Sequence, residues 1–290
     1  MNLIDGKQIA ASLKAEVAGR VETAAREFGR VPHLVVIRVG DDPASVVYVR
    51  NKEKACEAVG IRNTTLVLPE DTPEEALLEK IRTLNADDSV DGILVQLPLP
   101  RPLSEAHVIE TIAREKDVDG FHPLNVAGLW QKTPHMEPCT PKGIMKLLEV
   151  TGIDPKGKRA VVIGRSNIVG LPVAKMLLDK HATVTLCHTR TVDLPAVTRQ
   201  AEILVVAAGK AKMVTADMVS EGVIIIDVGM DRDPVTGKLC GDVDFEGCAP
   251  KAGAITPVPG GVGPMTIACL MENTLECFLR RQPGQILNKA

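Results

Sequence analysis

Short aliphatic runs alternate with longer stretches of helical periodicity along this chain, and the alternation runs through twice. In the first half the aliphatic runs are LVVIRV (34–39), IRNTTLVL (61–68) and DGILVQLPLP (91–100), the last stopped by its prolines. Four helices are expected around them. One covers 5–28, with Ile9, Leu13, Val17 and Val21 on one stripe. The second covers 42–60 and ends at Gly60. The third covers 72–85, with Thr72 as N-cap and Pro73 at the first helical position. The fourth covers 104–114. Strands alternating with helices imply parallel sheets built from βαβ units.

The second half restarts the pattern. Strands are expected at 159–164, 183–189, 202–209 and 223–229, with a last short one entering the 255–265 segment. Helices are expected at 171–180 and from Pro264 to about Arg281. Between the halves lie loop-rich, proline-dense stretches at 116–130 and 135–143, which read as a boundary. A helix over 140–151 carries the chain across. The expected fold is α/β with two domains. Residues 1–138 form a parallel α/β substrate domain and 139–267 a Rossmann-type domain, with a cleft between them. Residues 268–290 return as a helix on the first domain.

Composition removes several function classes. The net charge is −3 and aromatics make up 2% of the chain, so nucleic acid is not an expected partner. Seven cysteines, with no C-x-x-C pair, argue against a metal site or a disulfide framework. Reduced thiols in a cytoplasmic protein are the simpler reading. The N-terminus lacks the apolar core of a secretory signal. No run approaches the roughly 20 apolar residues of a membrane span.

The sharpest local motif is GRSNIVG (164–170), placed directly after a strand and before a helix. Amides of such a turn, with the helix N-terminus, face a dinucleotide pyrophosphate. It departs from G-x-G-x-x-G: Ser166 replaces the second glycine and the last glycine comes one residue late. The alternative is a plain strand-to-helix turn. At the end of the next strand, NAD binding usually wants a carboxylate for the ribose hydroxyl. This chain offers His188, Thr189 and Arg190 there, with Arg165 in the turn. Cations and hydroxyls suit a 2′-phosphate, so the residues favour NADP. The alternative is that Arg190 only covers an exposed strand end.

Tyr48, the single tyrosine, precedes Lys52 by one helical turn, and Ser45 lies on the same face. Such a pair can do acid–base work once burial lowers the lysine. The alternative is an exposed lysine beside a tyrosine on the core edge. Short-chain dehydrogenases share the spacing, but there the pair follows the cofactor turn in one domain. Here it precedes Gly164 by more than a hundred residues, which argues against that class. Gln96 and Pro98 fall at the C-terminal end of a strand, where α/β sites are built. Asp117 and Asp119 lie in the boundary loop. Asp117 reads as structural and Asp119 as functional. TPVPGGVGPMT (256–266) sets three glycines before a helix start, with Pro264 at its first position. That makes an amide cluster able to hold polar ligand atoms, or else a hinge.

Together VGDDPASVVYVRNKEKACEAVGI, DGILVQLPLP, KDVDGFHP, PCTPKGI, VVIGRSNIVGLPVA and ITPVPGGVGPMT resemble, in order, the blocks of the bifunctional methylenetetrahydrofolate dehydrogenase/cyclohydrolase family. The length suits its two-activity bacterial form. The resemblance implies NADP-dependent oxidation of 5,10-methylenetetrahydrofolate, then hydrolysis to 10-formyltetrahydrofolate, by a homodimer. It implies that Lys52 is the main acid–base residue, that Tyr48 stacks on the folate and that Gln96 tunes the lysine. It implies that Asp119 binds the pterin, and that Leu97, Pro98, Pro259, Gly260, Gly261, Val262 and Gly263 line the folate site. Gly164, Arg165 and Ser166 match the cofactor turn. Met230, often isoleucine in similar sequences, and Thr266 fall at cofactor contacts. Three other readings stay open: another NADP oxidoreductase, a nucleotide-binding regulator without catalysis, and a relative with one activity.

Overall fold

The computed structural model describes residues 2–282. The chain runs β1 (Asn2–Leu3), α1 (Gly6–Phe28), β2 (His33–Val39), α2 (Pro43–Val59), β3 (Arg62–Leu68), α3 (Glu74–Ala86), β4 (Gly92–Val95), α4 (Glu105–Thr111), α5 (Pro123–Trp130) and α6 (Cys139–Val150). It continues β5 (Arg159–Ile163), α7 (Gly170–Asp179), β6 (Thr183–Cys187), α8 (Leu194–Thr198), β7 (Ile203–Val206) and β8 (Ile224–Asp227). It ends with β9 (Asp231–Arg232), β10 (Leu239–Cys240), α9 (Phe245–Cys248), β11 (Ala254–Ile255) and α10 (Val262–Arg280). Among the described residues no helix is long and apolar enough to cross a membrane.

Two compact units divide the chain. One takes residues 12–139 and 267–282; the other takes 2–11 and 140–266. Of the C-terminal segment expected at 268–290, residues 283–290 lie outside the described residues.

The 12–139 unit is built on a three-stranded parallel sheet, order β3-β2-β4. Central β2 is buried at every position because helices cover both its faces. One core joins Val35, Ile37, Val39, Ile93 and Val95 to Leu77, Leu78 and Ile81 of α3. α2 is defined at both ends. The Asp42 carboxylate accepts the Ser45 N–H at 2.8 Å, Pro43 opens the helix and left-handed Gly60 closes it.

The other unit holds a six-stranded parallel sheet, order β1-β11-β8-β7-β5-β6. The chain steps from β5 outward to β6, then returns across β5 to β7. The C-terminal ends of β5 and β7 therefore flank a topological switch point, where open α/β sheets bind ligands.

Several elements differ from the sequence expectation. Thr72 is not the cap of α3; that helix starts a residue later, behind Pro73, and the Thr72 hydroxyl donates to the Pro69 carbonyl at 2.6 Å. β4 ends at Val95, since Pro98 and Pro100 carry no amide to extend the ladder beyond the Gln96 N–H, which reaches the Ile37 carbonyl. α5 lies inside the stretch read as loop, with the His122 ring accepting the Leu124 N–H and Pro123 at the first position. α10 starts at Val262, so Pro264 is its third residue. A first-turn amide has no partner within the helix, which is why proline fits there too. The strand expected in 255–265 is only β11. β1 has no counterpart in the sequence reading. It is held by the Asn2 N–H on the Gly253 carbonyl and the Ile4 N–H on the Ile255 carbonyl, both 2.9 Å.

Asp91 fixes the entry to β4. Fully buried, it accepts both Arg30 nitrogens (2.6 and 2.9 Å), the His33 N–H (2.9 Å) and Arg281 Nη1 (3.3 Å). Arg30 also stacks over Phe278, 4.5 Å from the ring centroid. One carboxylate thus ties α10 to the start of β4, the strand that leads into Gln96. Removing the charge from a buried, multiply bonded pair is strongly destabilising, so Asp91→Asn is expected to cost about 3 kcal/mol. Thermal melts should record a fall of roughly 6–12 °C in Tm; an unchanged melt would contradict the role given to Asp91.

Candidate active site and nucleotide site

On α2, Ser45, Val49, Lys52 and Cys56 form the buried face. Tyr48 stands at its margin, 36% exposed. Lys52 is only 9% exposed, which removes the reading of a solvated lysine. Its ammonium donates to Gln96 Oε1 at 2.9 Å, and Gln96 Nε2 donates to the Leu97 carbonyl at 2.6 Å. The end of β4 therefore presents an acceptor to Lys52 in a fixed orientation. Leu97 is half-buried and Pro98 exposed beside it.

Burial pushes the Lys52 ammonium below the ordinary lysine range, and the nearby Asp119 charge opposes the shift. Asp119 moves the other way. Burial raises its carboxyl, while the Lys52 charge holds it down. Lys52, Gln96 and Asp119 thus come together. Asp117 is structural, as its sequence context suggested. Its oxygens accept the Gly120 N–H (3.1 Å), the His122 N–H (2.8 Å) and the Asn125 amide (2.7 Å), which closes the loop around Asp119.

Two residues of this cluster were not legible in the sequence. The Cys139 thiol donates to the Val118 carbonyl at 3.3 Å. Fully buried Asn273 of α10 donates to the carbonyls of Val118 and Glu137, both 2.9 Å, and contacts Cys139 Sγ at 3.4 Å. Both grip the residue before Asp119. An apolar-rich helix with one asparagine gives no sign of its partner 155 positions away.

In the 140–266 unit, the 164–170 turn leaves the C-terminal end of β5 at the switch point. Gly164 has φ +112, and a Cβ there would lie 2.1 Å from the Ala207 carbonyl oxygen. A Cβ on Gly170 would lie 2.1 Å from the Gly164 oxygen. Only glycine lets the turn close this tightly. Ser166 has a bonding role: its hydroxyl accepts the Val169 and Gly170 N–H groups at 3.2 and 3.3 Å, capping α7 in place of the uncapped Val169.

β6 ends at Cys187, two residues short of the expected strand, and is followed by His188, Thr189 and Arg190, with no carboxylate before Asp193, which is spent capping α8. The His188 ring accepts the Arg190 N–H at 3.1 Å. Arg165, Thr189 and Arg190 are exposed, and neither guanidinium is paired among the described residues. Exposed cations at this strand end fit a phosphate on the adenosine ribose.

The 259–263 segment packs closely against Gly6 and Met230. A Cβ on Gly6 would fall 1.9 Å from the Gly261 oxygen, and one on Gly263 would meet Met230 Cε at 3.0 Å. Gly260, Gly261 and Val262 are buried while Pro259 is exposed. Met230, 41% exposed, follows β8 by three residues. The Thr266 hydroxyl hydrogen-bonds that of Thr140 at 3.0 Å.

Residues 4–119 match the catalytic-domain model of tetrahydrofolate dehydrogenase/cyclohydrolase, and 138–282 match the NAD(P)-binding-domain model of the same family. The bifunctional protein FolD of Moorella thermoacetica is 57% identical over 278 residues, covering 96% of this chain and 99% of that protein. The crystal structure of the bifunctional FolD dehydrogenase/cyclohydrolase from Campylobacter jejuni superposes with a TM-score of 0.94 at 50% identity, covering 97% of this chain and all of that one. The FolD of Trypanosoma brucei, solved with NADP and an inhibitor, gives 0.92 at 40% identity over 96% of this chain and 97% of that one. With both domain models matched in order along nearly its whole length, the chain belongs to the tetrahydrofolate dehydrogenase/cyclohydrolase family.

Proposed function

We propose that the protein oxidises 5,10-methylenetetrahydrofolate to 5,10-methenyltetrahydrofolate and hydrolyses that product to 10-formyltetrahydrofolate. The observation that carries the reading is Lys52, buried and bonded to Gln96 beside Asp119, in a chain of this family. NADP, held at the 164–170 turn with Arg165, Ser166, His188, Thr189 and Arg190 around its phosphates, supplies the hydride acceptor. Met230 and Thr266 complete that set. We further propose a cytoplasmic homodimer with no nucleic-acid partner; the near-neutral charge and few aromatics support the last point.

The oxidation asks mainly for orientation. Lone pairs on the two folate nitrogens assist loss of hydride from the methylene carbon, so no strong base is required. Tyr48 offers a ring face to the folate and Asp119 a carboxyl to its pterin. Leu97 and Pro98 bound the same ligand. The hydrolysis asks for proton handling. Water bonds to the cationic methenyl carbon as neutral Lys52 takes a proton from it. The bond from that carbon to N5 then breaks, N5 takes a proton from the Lys52 ammonium, and one proton leaves to solvent. A lysine lowered by burial gives up and regains its proton more readily than an exposed one, where an arginine could not cycle at all. Gln96 keeps the Lys52 nitrogen directed while it is neutral or charged.

Lys52→Met is expected to reduce cyclohydrolase turnover by roughly a hundredfold or more, the usual scale for a lost acid–base group. Dehydrogenase turnover should stay measurable. Loss of methenyl absorbance at the wild-type rate would refute the assignment. The pH dependence carries a sign. Activity that needs neutral Lys52 rises with pH, and the rise should fall below the ordinary lysine range. The Asp119 charge holds the lysine up, so Asp119→Asn should move that limb further toward acid, along with weaker folate binding. A limb that moves toward alkali would contradict the coupling. For the cofactor, Arg190→Ala should lower kcat/KM for NADP more than for NAD, by about tenfold in their ratio. An unchanged ratio would remove Arg190 from the phosphate site.

A further inference from the structure

The 140–266 unit carries a set of buried carboxylates that the chemistry above does not use. Asp242 is fully buried. Its Oδ2 accepts the N–H groups of Ala208 (2.6 Å) and Gly209 (3.1 Å), and its Oδ1 that of Lys210 (2.7 Å). Three consecutive amides at the exit of β7 thus converge on one carboxylate. Successive amides of this kind form a concavity that attracts anions, and here a side chain of the same chain fills it.

Asp242 is itself held by Asp227 at the end of β8. Asp227 Oδ1 accepts the N–H groups of Gly229 and Asp242, and Oδ2 accepts that of Val243, all at 3.0 Å. The Asp227 N–H in turn donates to the Thr256 hydroxyl at 2.8 Å. No larger residue fits at the junctions. A Cβ on Gly229 would lie 2.5 Å from Asp242 Cγ, and one on Gly241 would lie 1.9 Å from Asp227 Oδ2.

The loop that Asp242 fixes adjoins the cofactor turn. The Ala207 carbonyl is the group that a Cβ on Gly164 would strike, and the Ala207 N–H donates to the Ile163 carbonyl at 2.8 Å. The exits of β5 and β7 are the two sides of the switch point, so the 207–210 loop faces any dinucleotide bound at Gly164.

We propose that Asp242 is a positioning residue for the dinucleotide: by occupying the amides of Ala208, Gly209 and Lys210 it sets the wall of the cofactor site opposite the 164–170 turn. The same occupancy withdraws those amides from the cofactor phosphates, which leaves the turn and the N-terminus of α7 as the backbone anion site. Asp227 acts one step further out by holding Asp242. The proposal rests on the NAD(P)-binding reading of this unit and not on the identity of the folate substrate.

Asp242→Asn tests it, because a carboxamide offers one acceptor oxygen and turns a donor toward the remaining amides. NADP binding is measured by calorimetry, and steady-state constants are measured for both substrates. Affinity and KM for NADP should weaken at least fivefold. KM for methylenetetrahydrofolate, and hydrolysis of prepared methenyltetrahydrofolate without NADP, should stay within twofold. That hydrolysis reports on folding and on the Lys52 site. Unchanged NADP affinity would overturn the proposal. So would an equal fall in both activities, which is what a merely structural carboxylate gives. If Asp242→Asn does not fold, Asp227→Asn replaces it, with NADP affinity at least threefold weaker and hydrolysis retained; NADP affinity equal to wild type would again overturn the assignment. Calorimetry keeps the test independent of whether wild-type protein turns over the proposed folate.

Discussion

The hydrogen bond from Lys52 to Gln96 is the contact on which the proposed chemistry of the 12–139 unit depends. An ammonium taken out of water must find partners or surrender its proton. Lys52 is offered one directed acceptor and one nearby carboxyl, too little to restore the hydration it lost. Burial thereby lowers its pKa from the ordinary lysine value. Much of the surrounding architecture keeps that arrangement in place. The Asp42 cap and Gly60 set the limits of α2. Asp91 anchors the start of β4, the short strand that leads into Gln96. Asn273 and Cys139 grip the backbone that presents Asp119.

The 140–266 unit works by different means. Its nucleotide site is shaped by backbone: a glycine turn closed too tightly for any Cβ, a serine hydroxyl capping α7, and buried carboxylates gathering amides at the strand exits. The exposed cations Arg165 and Arg190 stand where the proposed function places the 2′-phosphate. The division follows from the chemistry. Hydride transfer needs a cofactor held in one pose, which rigid backbone provides. Hydrolysis needs a group able to change protonation, which only a side chain provides.

What the sequence made legible were features of short range. Aliphatic runs marked the sheets, and Gly164 announced the switch-point turn because strand, glycine and helix are contiguous. Tyr48 and Lys52 stood out because a helix brings such a pair onto one face. Other features depend on distant partners and leave no local trace. Asp242 reads as a loop aspartate until its amides, more than thirty residues earlier, are seen around it. Two-residue β1 carries too few side chains to show a period, yet it adds an edge to the sheet through β11. α5 was hidden by a proline and a glycine in a stretch otherwise rich in turn residues, although Pro123 after a capping His122 was a readable start signal. The glycines of 259–263 were visible, but their packing against Gly6 and Met230 was not.

The titration of Lys52 itself is the most direct test. With lysines labelled at Cε, NMR across a pH series follows each ammonium separately, and the Lys52 signal is identified by its loss in Lys52→Arg. This account expects that signal to titrate well below the surface lysines. A Lys52 resonance that stays fully charged until the surface lysines lose their protons would contradict it.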